Sequence, residues 1–190
     1  YPDVRFDFHA HNDYDLAVAN VMAAVKAGVH GIHTTINGLG ERAGNAPLSS
    51  VIAVLNDQIK TPNGVVERRI NHVSRVVETY TGVHIPANKP VVGENVFTQC
   101  AGIHADGDNK DNLYYNDLLP ERFGRVREYA LGKMSGKANI RKNLDALGID
   151  LDEESMRKVT ERIIELGDKK QTVTSDDLPY IIADILRQDV

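Results

Sequence analysis

Phe8-His9-Ala10-His11-Asn12-Asp13 is the stretch whose reading decides the fold. It closes the alternating run Val4-Arg5-Phe6-Asp7-Phe8, which predicts a buried strand over residues 4–9. Residues i and i+2 of a strand point to the same face. At a strand end, His9 and His11 therefore turn two imidazoles toward one point. Imidazole is a common ligand of divalent metals, and two convergent rings are half of a four-ligand site. Taken alone, a His-x-His pair is more often packing or hydrogen bonding. The rest of the chain changes that balance.

Asn12 or Asp13 is placed to cap a helix whose apolar face carries Leu16, Ala17, Val18, Val21, Met22, Ala24 and Val25, ended by Gly28. Residues 29–36 return to strand. Gly38-Leu39-Gly40-Glu41-Arg42-Ala43-Gly44-Asn45-Ala46 is a glycine-rich loop, and Pro47 suits the first turn of a helix over 48–59. Strand, helix, strand, loop and helix in this order call for a parallel sheet. A (β/α)8 barrel needs eight strands and about 250 residues, so this part reads as the last two βα units, the final quarter, of such a TIM barrel. Working residues of that fold lie at the C-terminal ends of strands and in the loops that follow. His9 and His11 hold such an end. Asn45 lies in the loop after the next strand, 34 positions beyond His11. Its side-chain carbonyl is a hard oxygen donor. Two nitrogens, this oxygen and a carboxylate suit Zn²⁺, Mn²⁺ or Mg²⁺. Read by itself, Asn45 is more simply a helix cap ahead of Pro47.

Beyond Lys60-Thr61-Pro62-Asn63-Gly64 the character changes. Residues 67–80 predict a helix with Ile70, Val73, Val76 and Val77 on one side. Residues 82–93, with Pro86 and Pro90, read as an irregular linker, and 96–107 as a turn and a short helix. His104 sits among small neighbours, Gly102-Ile103 before it and Ala105-Asp106-Gly107 after it. That leaves room for a substrate beside a natural proton-transfer group, although a lone histidine is more often a surface or capping residue. Residues 129–138 form a second small-residue loop. Its Lys133-Met134-Ser135-Gly136-Lys137 reads as a turn before a phosphate or CoA contact, since the spacing is not that of a P-loop. Helices over 138–147, 152–166 and 175–186 make a small α-helical module, the last opened by a Ser-Asp-Asp cap. His30, His33, His72 and His84 have no partner pattern and are read as structural.

The 190 residues are 42% apolar and 26% charged, an ordinary globular mixture. A net charge of -5 argues against nucleic acid as the main partner. The single Cys100 excludes an internal disulfide and fits a reducing, cytoplasmic setting. No apolar run approaches the ~20 residues of a membrane span, and no signal-peptide pattern is present, so no membrane partner is expected. The chain opens Tyr1-Pro2-Asp3 without a methionine and is expected to be a piece of a longer protein.

Three motifs then occur in order: His9-Ala-His11-Asn12-Asp13, Gly38-x-Gly40-Glu41-Arg42-x-Gly44-Asn45 and Gly102-Ile103-His104-x-Asp106-Gly107. Together they resemble the 2-isopropylmalate synthase family, which includes homocitrate and citramalate synthases. The similarity covers nearly the whole chain. It implies an α/β fold: the last two βα units of a (β/α)8 TIM barrel over 1–80, a linker and small lid subdomain over 81–138, and an α-helical subdomain over 139–190.

The resemblance implies a Claisen-type condensation of acetyl-CoA with a 2-oxo acid, assisted by a divalent metal. It implies His9, His11 and Asn45 as metal ligands, with a fourth ligand, an Asp beside an Arg, on a strand this chain does not contain. His104 matches the lid histidine implicated in proton transfer, delivered to the barrel of a partner subunit in a homodimer. Asn112-Leu113-Tyr114 matches the citramalate synthase form and points to Tyr114 as the lid tyrosine. Counting back from Pro120 points to Tyr115 instead. Asn112, Leu113 and Tyr115 are candidate acetyl-CoA contacts. Glu41, Arg42 and Asp13 are expected to orient the ligand-bearing loops, with helix capping the simpler role for Asp13. The expected acceptor is 3-methyl-2-oxobutanoate, in leucine biosynthesis, with pyruvate, 2-oxoglutarate or oxaloacetate as alternatives. By itself the chain is expected to be inactive. A rival reading is a lid-and-dimerisation subunit without chemistry of its own. Another is a carbon–carbon lyase of the same superfamily, against which the lid around His104 argues.

Overall fold

The structure is a computed structural model that describes residues 1–100, 107, 117–171 and 173–188. The chain divides into two compact units. Among the described residues, the first comprises Tyr1–Val96 and Asp117–Val126, and the remainder belong to the second. No described helix is long and apolar enough to cross a membrane.

In the first unit, β1 (Asp7–His9) pairs in parallel with β2 (Gly31–His33), placing Asp7 opposite Gly31 and His9 opposite His33. The crossover is α1 (Ala17–Lys26), which buries Ala17 and Val21. Its entry is held by Asn12, whose Oδ1 accepts the Ala17 N–H at 3.1 Å. Gly28, at φ 89, then turns the chain into β2. The buried strand expected over 4–9 is shorter and more open. Val4 and Phe6 stand 45% and 51% exposed. A parallel strand is buried only when neighbours and helices cover both faces, and β1 has β2 alone beside it among the described residues. His30 closes the start of the strand, its Nδ1 accepting the Phe6 N–H at 3.0 Å.

α2 (Leu48–Val54) runs on through a wider turn at Leu55–Ile59 and buries Val51, Ile52, Ala53 and Leu55. α3 (Ile70–Thr81), led in by a 3-10 turn at Glu67–Arg69, ends at Gly82 in the left-handed region. Its inward face is Ile70 and Ser74; Val73 and Val76, read as sharing one side with Ile70, are each 38% exposed. Arg122 ties the returning 117–126 segment down through Asp57 (2.8 Å) and Glu67 (2.6 Å).

In the second unit β3 (Thr98–Gln99) pairs in parallel with β4 (Glu128–Tyr129). Three helices follow: α4 (Lys137–Leu147), α5 (Glu153–Asp168) and α6 (Leu178–Gln188). Leu131, Ile140, Leu144, Met156, Val159, Ile163, Val173, Leu178 and Ile182 form one core. Asp152 caps α5 by accepting the Ser155 N–H at 2.7 Å. At α6 the cap is a box between Thr174 and Asp177, one residue before the serine the sequence suggested. Ser135 is buried in the small-residue loop. Its hydroxyl donates to Ala130 O and accepts from Gly132 N, which makes Lys133–Lys137 a structural turn.

Candidate metal centre

The imidazoles of His9 and His11 come together with ring centroids 5.0 Å apart and planes at 75°. Between them Ala10 points the other way and is buried, as the two-residue period requires. Asn45 reaches the same place by backbone pairing. His11 and Asn45 form an antiparallel bridge in which Asn12 N donates to Gly44 O (2.9 Å) and Ala46 N donates to Ala10 O (3.1 Å). In such a non-hydrogen-bonded pair the two side chains stand side by side on one face, with Cβ atoms ~4.5–5.5 Å apart.

The Asn45 amide is held by its nitrogen: Nδ2 donates to Leu39 O at 3.0 Å. Its Oδ1 is buried with no hydrogen-bond partner, and so is Nδ1 of the facing His11. A buried polar atom left unpaired costs about 1–3 kcal/mol. Two such atoms on directly opposed residues suit an electron-pair acceptor between them. The helix-cap reading of Asn45 is corrected: Pro47 is the N-cap of α2, which has no side-chain cap, and the Asn45 amide turns to Leu39 instead.

The glycines of the loop make room for this amide. A Cβ on Gly40 would stand 2.3 Å from Asn45 Nδ2. Gly44 lies at φ 82, and a Cβ there would meet Gly38 O at 2.0 Å. Gly38 O instead accepts the Asn45 N–H at 3.0 Å, which closes the loop on itself.

Arg42 and Asp13 tie the loop to the histidine segment. Arg42 Nε donates to Asp13 Oδ1 at 2.9 Å and Nη2 donates to Oδ2 at 3.1 Å. This fork holds the Asp13 carboxyl below its ordinary value, and Arg42 is raised in turn. Asp13 therefore braces the two segments, while Asn12 accepts the first N–H of α1, whose N-cap position is Leu16. The Glu41 side chain is exposed, and its backbone carbonyl accepts the Gly44 N–H at 2.8 Å. Among the described residues no three His, Cys, Asp or Glu side chains gather into a metal cluster. The candidate set is two imidazoles and a neutral amide, a mixed nitrogen–oxygen donor set that fits a borderline divalent cation. Sequence reasoning passed over His33, whose ring lies 5.7 Å from that of His9. The parallel register of β1 and β2 brings it there, and spacing along the chain carries no signal of that register.

The chain matches the HMGL-like family model over residues 2–77 and the "Homocitrate synthase post-HMGL domain-like" model over 91–171. It is 44% identical over 184 residues to the "Putative (R)-citramalate synthase CimA" of Methanopyrus kandleri, covering 97% of this chain and 36% of that protein. The same organism's "Probable 2-isopropylmalate synthase" is 43% identical over 184 residues, 97% of this chain and 37% of that protein. That of Archaeoglobus fulgidus is 41% identical over 187 residues, 96% and 37%. This chain belongs to the 2-isopropylmalate, homocitrate and citramalate synthase family. It spans just over a third of the length of these curated relatives. Within this synthase-family chain, His9, His11, Asp13, Glu41, Arg42 and Asn45 fall in the HMGL-like segment. His104, Asn112, Leu113, Tyr114 and Tyr115 fall in the post-HMGL segment and lie outside the described residues. The root of that stretch is pinned by α4 of the synthase-family chain: Asn139 Nδ2 donates to Cys100 O at 2.9 Å and to Ala130 O at 3.2 Å.

Proposed function

We propose that this chain is the C-terminal part of a synthase that condenses acetyl-CoA with a 2-oxo acid. Its strand–helix–strand unit serves as the last quarter of a (β/α)8 barrel, followed by a lid and a helical subdomain. The observation that carries the reading is the pairing of His11 with Asn45, each with a buried atom free to bind. His9, His11 and Asn45 hold a divalent cation, the remaining ligands coming from barrel segments outside this chain and from the substrate. A cation held there supplies Lewis acidity toward the ketone and carboxylate oxygens of a 2-oxo acid.

The chain's own residues set the geometry. The backbone bridge fixes His11 against Asn45, the Leu39 carbonyl holds the amide with its oxygen free, and the Arg42–Asp13 fork locks one ligand segment to the other. In the condensation a methyl proton leaves acetyl-CoA and the methyl carbon bonds to the ketone carbon. The ketone oxygen gains a proton, and water then cleaves the thioester to a carboxylate and free CoA. His104 serves this proton traffic, and Tyr114 is the lid tyrosine that assists it. Asn112, Leu113 and Tyr115 contact the acetyl-CoA. The lid works on the barrel of a second subunit, in a homodimer.

The acceptor is 3-methyl-2-oxobutanoate, giving 2-isopropylmalate. A second reading, pyruvate giving citramalate, is favoured by the relative of that name at 44% identity. Free CoA released by the full-length protein distinguishes them: release with 3-methyl-2-oxobutanoate and not pyruvate supports the first, the reverse the second. No release with any 2-oxo acid overturns both in favour of a non-catalytic subunit. Removing the metal with a chelator abolishes the release, and adding divalent metal restores it.

A further inference from the structure

One imidazole beside the candidate centre, that of His33, stands outside the set of His9, His11 and Asn45. His33 ends β2 directly opposite His9, and its ring meets the His9 ring edge-on, with centroids 5.7 Å apart and planes at 69°. Such edge-to-face contact is a preferred arrangement of flat rings at about 4.5–7 Å. His9 is thus in ring contact with two imidazoles, His11 and His33. Beyond His33 stands Asp7, on the same face of the sheet. Its Oδ2 is 3.9 Å from His33 Nε2, too long for a hydrogen bond and within reach of an ion pair when the imidazole is charged. Gly31, opposite Asp7, gives that carboxylate its space: a Cβ there would lie 2.5 Å from Asp7 Oδ1. Asp7, His33, His9 and His11 therefore form a row along one face, its order fixed by the strand register.

Resting on the reading of His9 as a ligand, the geometry points to His33 as a positioning residue for His9. The Nε2 of His33 lies on the Asp7 side, 3.9 Å from Oδ2, and the ring meets the site through its contact with His9. A ligating imidazole that turns freely about its ring bond must be ordered when the cation binds. A flat neighbour that confines the ring beforehand removes part of that cost. The contact needs a ring at position 33, not its nitrogens.

The test is Co²⁺ binding by the full-length protein, read as affinity by chelator competition and as the visible ligand-field spectrum. His33→Ala lowers Co²⁺ affinity by roughly tenfold or more and alters the spectrum, the scale typical of an outer partner of a metal ligand. His33→Phe, which restores a flat ring without nitrogen, recovers affinity to within roughly threefold and returns the spectrum to its original form. Should His33→Ala fail to fold by circular dichroism, His33→Gln takes its place, filling the space without a ring. Unchanged affinity and spectrum in His33→Ala overturn the proposal, as does failure of Phe to rescue. A loss as complete as that of His9→Ala also overturns it and makes His33 a ligand. If His9→Ala itself binds Co²⁺ normally, the metal-site reading falls first, a separate result.

Discussion

Arg42 closes a two-point hydrogen bond on Asp13, Nε to Oδ1 and Nη2 to Oδ2, joining two segments 29 residues apart in the chain. Lysine cannot reproduce a planar fork. Arg42→Lys and Arg42→Ala should both lower divalent-metal affinity in the full-length protein by roughly tenfold, as loss of an outer brace does elsewhere. Both side chains are exposed, so the thermal midpoint should barely move. The Asp13 carboxyl is held below its ordinary 3.8, chiefly by the Arg42 hydrogen bond. A depressed carboxyl stabilises the fold above its unfolded value and ceases to do so as pH falls through its folded value. The small difference in urea midpoint between the native protein and Arg42→Ala should therefore be constant at neutral pH and vanish as pH falls below 3.8.

Gly40→Ala should separate binding from folding. The new Cβ would lie 2.3 Å from Asn45 Nδ2 and must push the amide aside. The expected result is lost metal binding, measured by calorimetric titration, with an unchanged circular dichroism spectrum. Gly44→Ala should damage the fold as well. At φ 82 a side chain costs about 1–2 kcal/mol, and the approach to Gly38 O adds to that.

Arg122 is 22% exposed between Asp57 at 12% and Glu67 at 18%. Arg122→Met leaves two carboxylates facing each other with their cation gone. The loss should be about 1–3 kcal/mol, below that of a fully buried pair because water still reaches the group. The Glu67 carboxyl is lowered from 4.5, first by its hydrogen bond to Arg122. Its contribution is present above that value and lost as pH falls through the folded one. Chemical denaturation at pH 7 and at pH 3 should show the native protein losing stability that the variant has already lost.

In the second unit Ile163 is fully buried at the centre of the core formed by α4, α5 and α6. Ile163→Ala should cost about 2–5 kcal/mol by removing methylenes from a packed interior. A urea titration followed by helical ellipticity checks it.

His9 and His11 were legible because a strand's period is two, whatever surrounds it. The glycine loop was legible as a loop, but not why its glycines stand where they do, because that depends on where Asn45 turns its amide. Caps were harder to place: the helix expected from residue 152 starts at Glu153, with Asp152 as its cap, and Thr174 displaced Ser175 because the hydroxyl that reaches Asp177 decides the box. Burial was harder. Val4 and Phe6 alternate as a covered strand does, yet whether a strand is covered depends on its neighbours, not on its own pattern. On α3, Val73 and Val76 outrank Ser74 in hydropathy, yet Ser74 is the buried residue, at the point where the α3 backbone carbonyl accepts the Asn37 amide at 2.9 Å. Val91, buried at φ 69, has no sign in the sequence at all. His33 escaped notice because its neighbour is set by strand register, which spacing along the chain does not reveal.

The two rungs of the bridge, the amides of Asn12 and Ala46, are donated in opposite directions across one gap. Separating the two segments breaks both, so the two amides should show the same protection against deuterium exchange once each one's intrinsic rate is divided out. His11 and Asn45 thus behave as a single mechanical part, and isotope uptake at those two amides measures how often that part comes undone, with no ligand added.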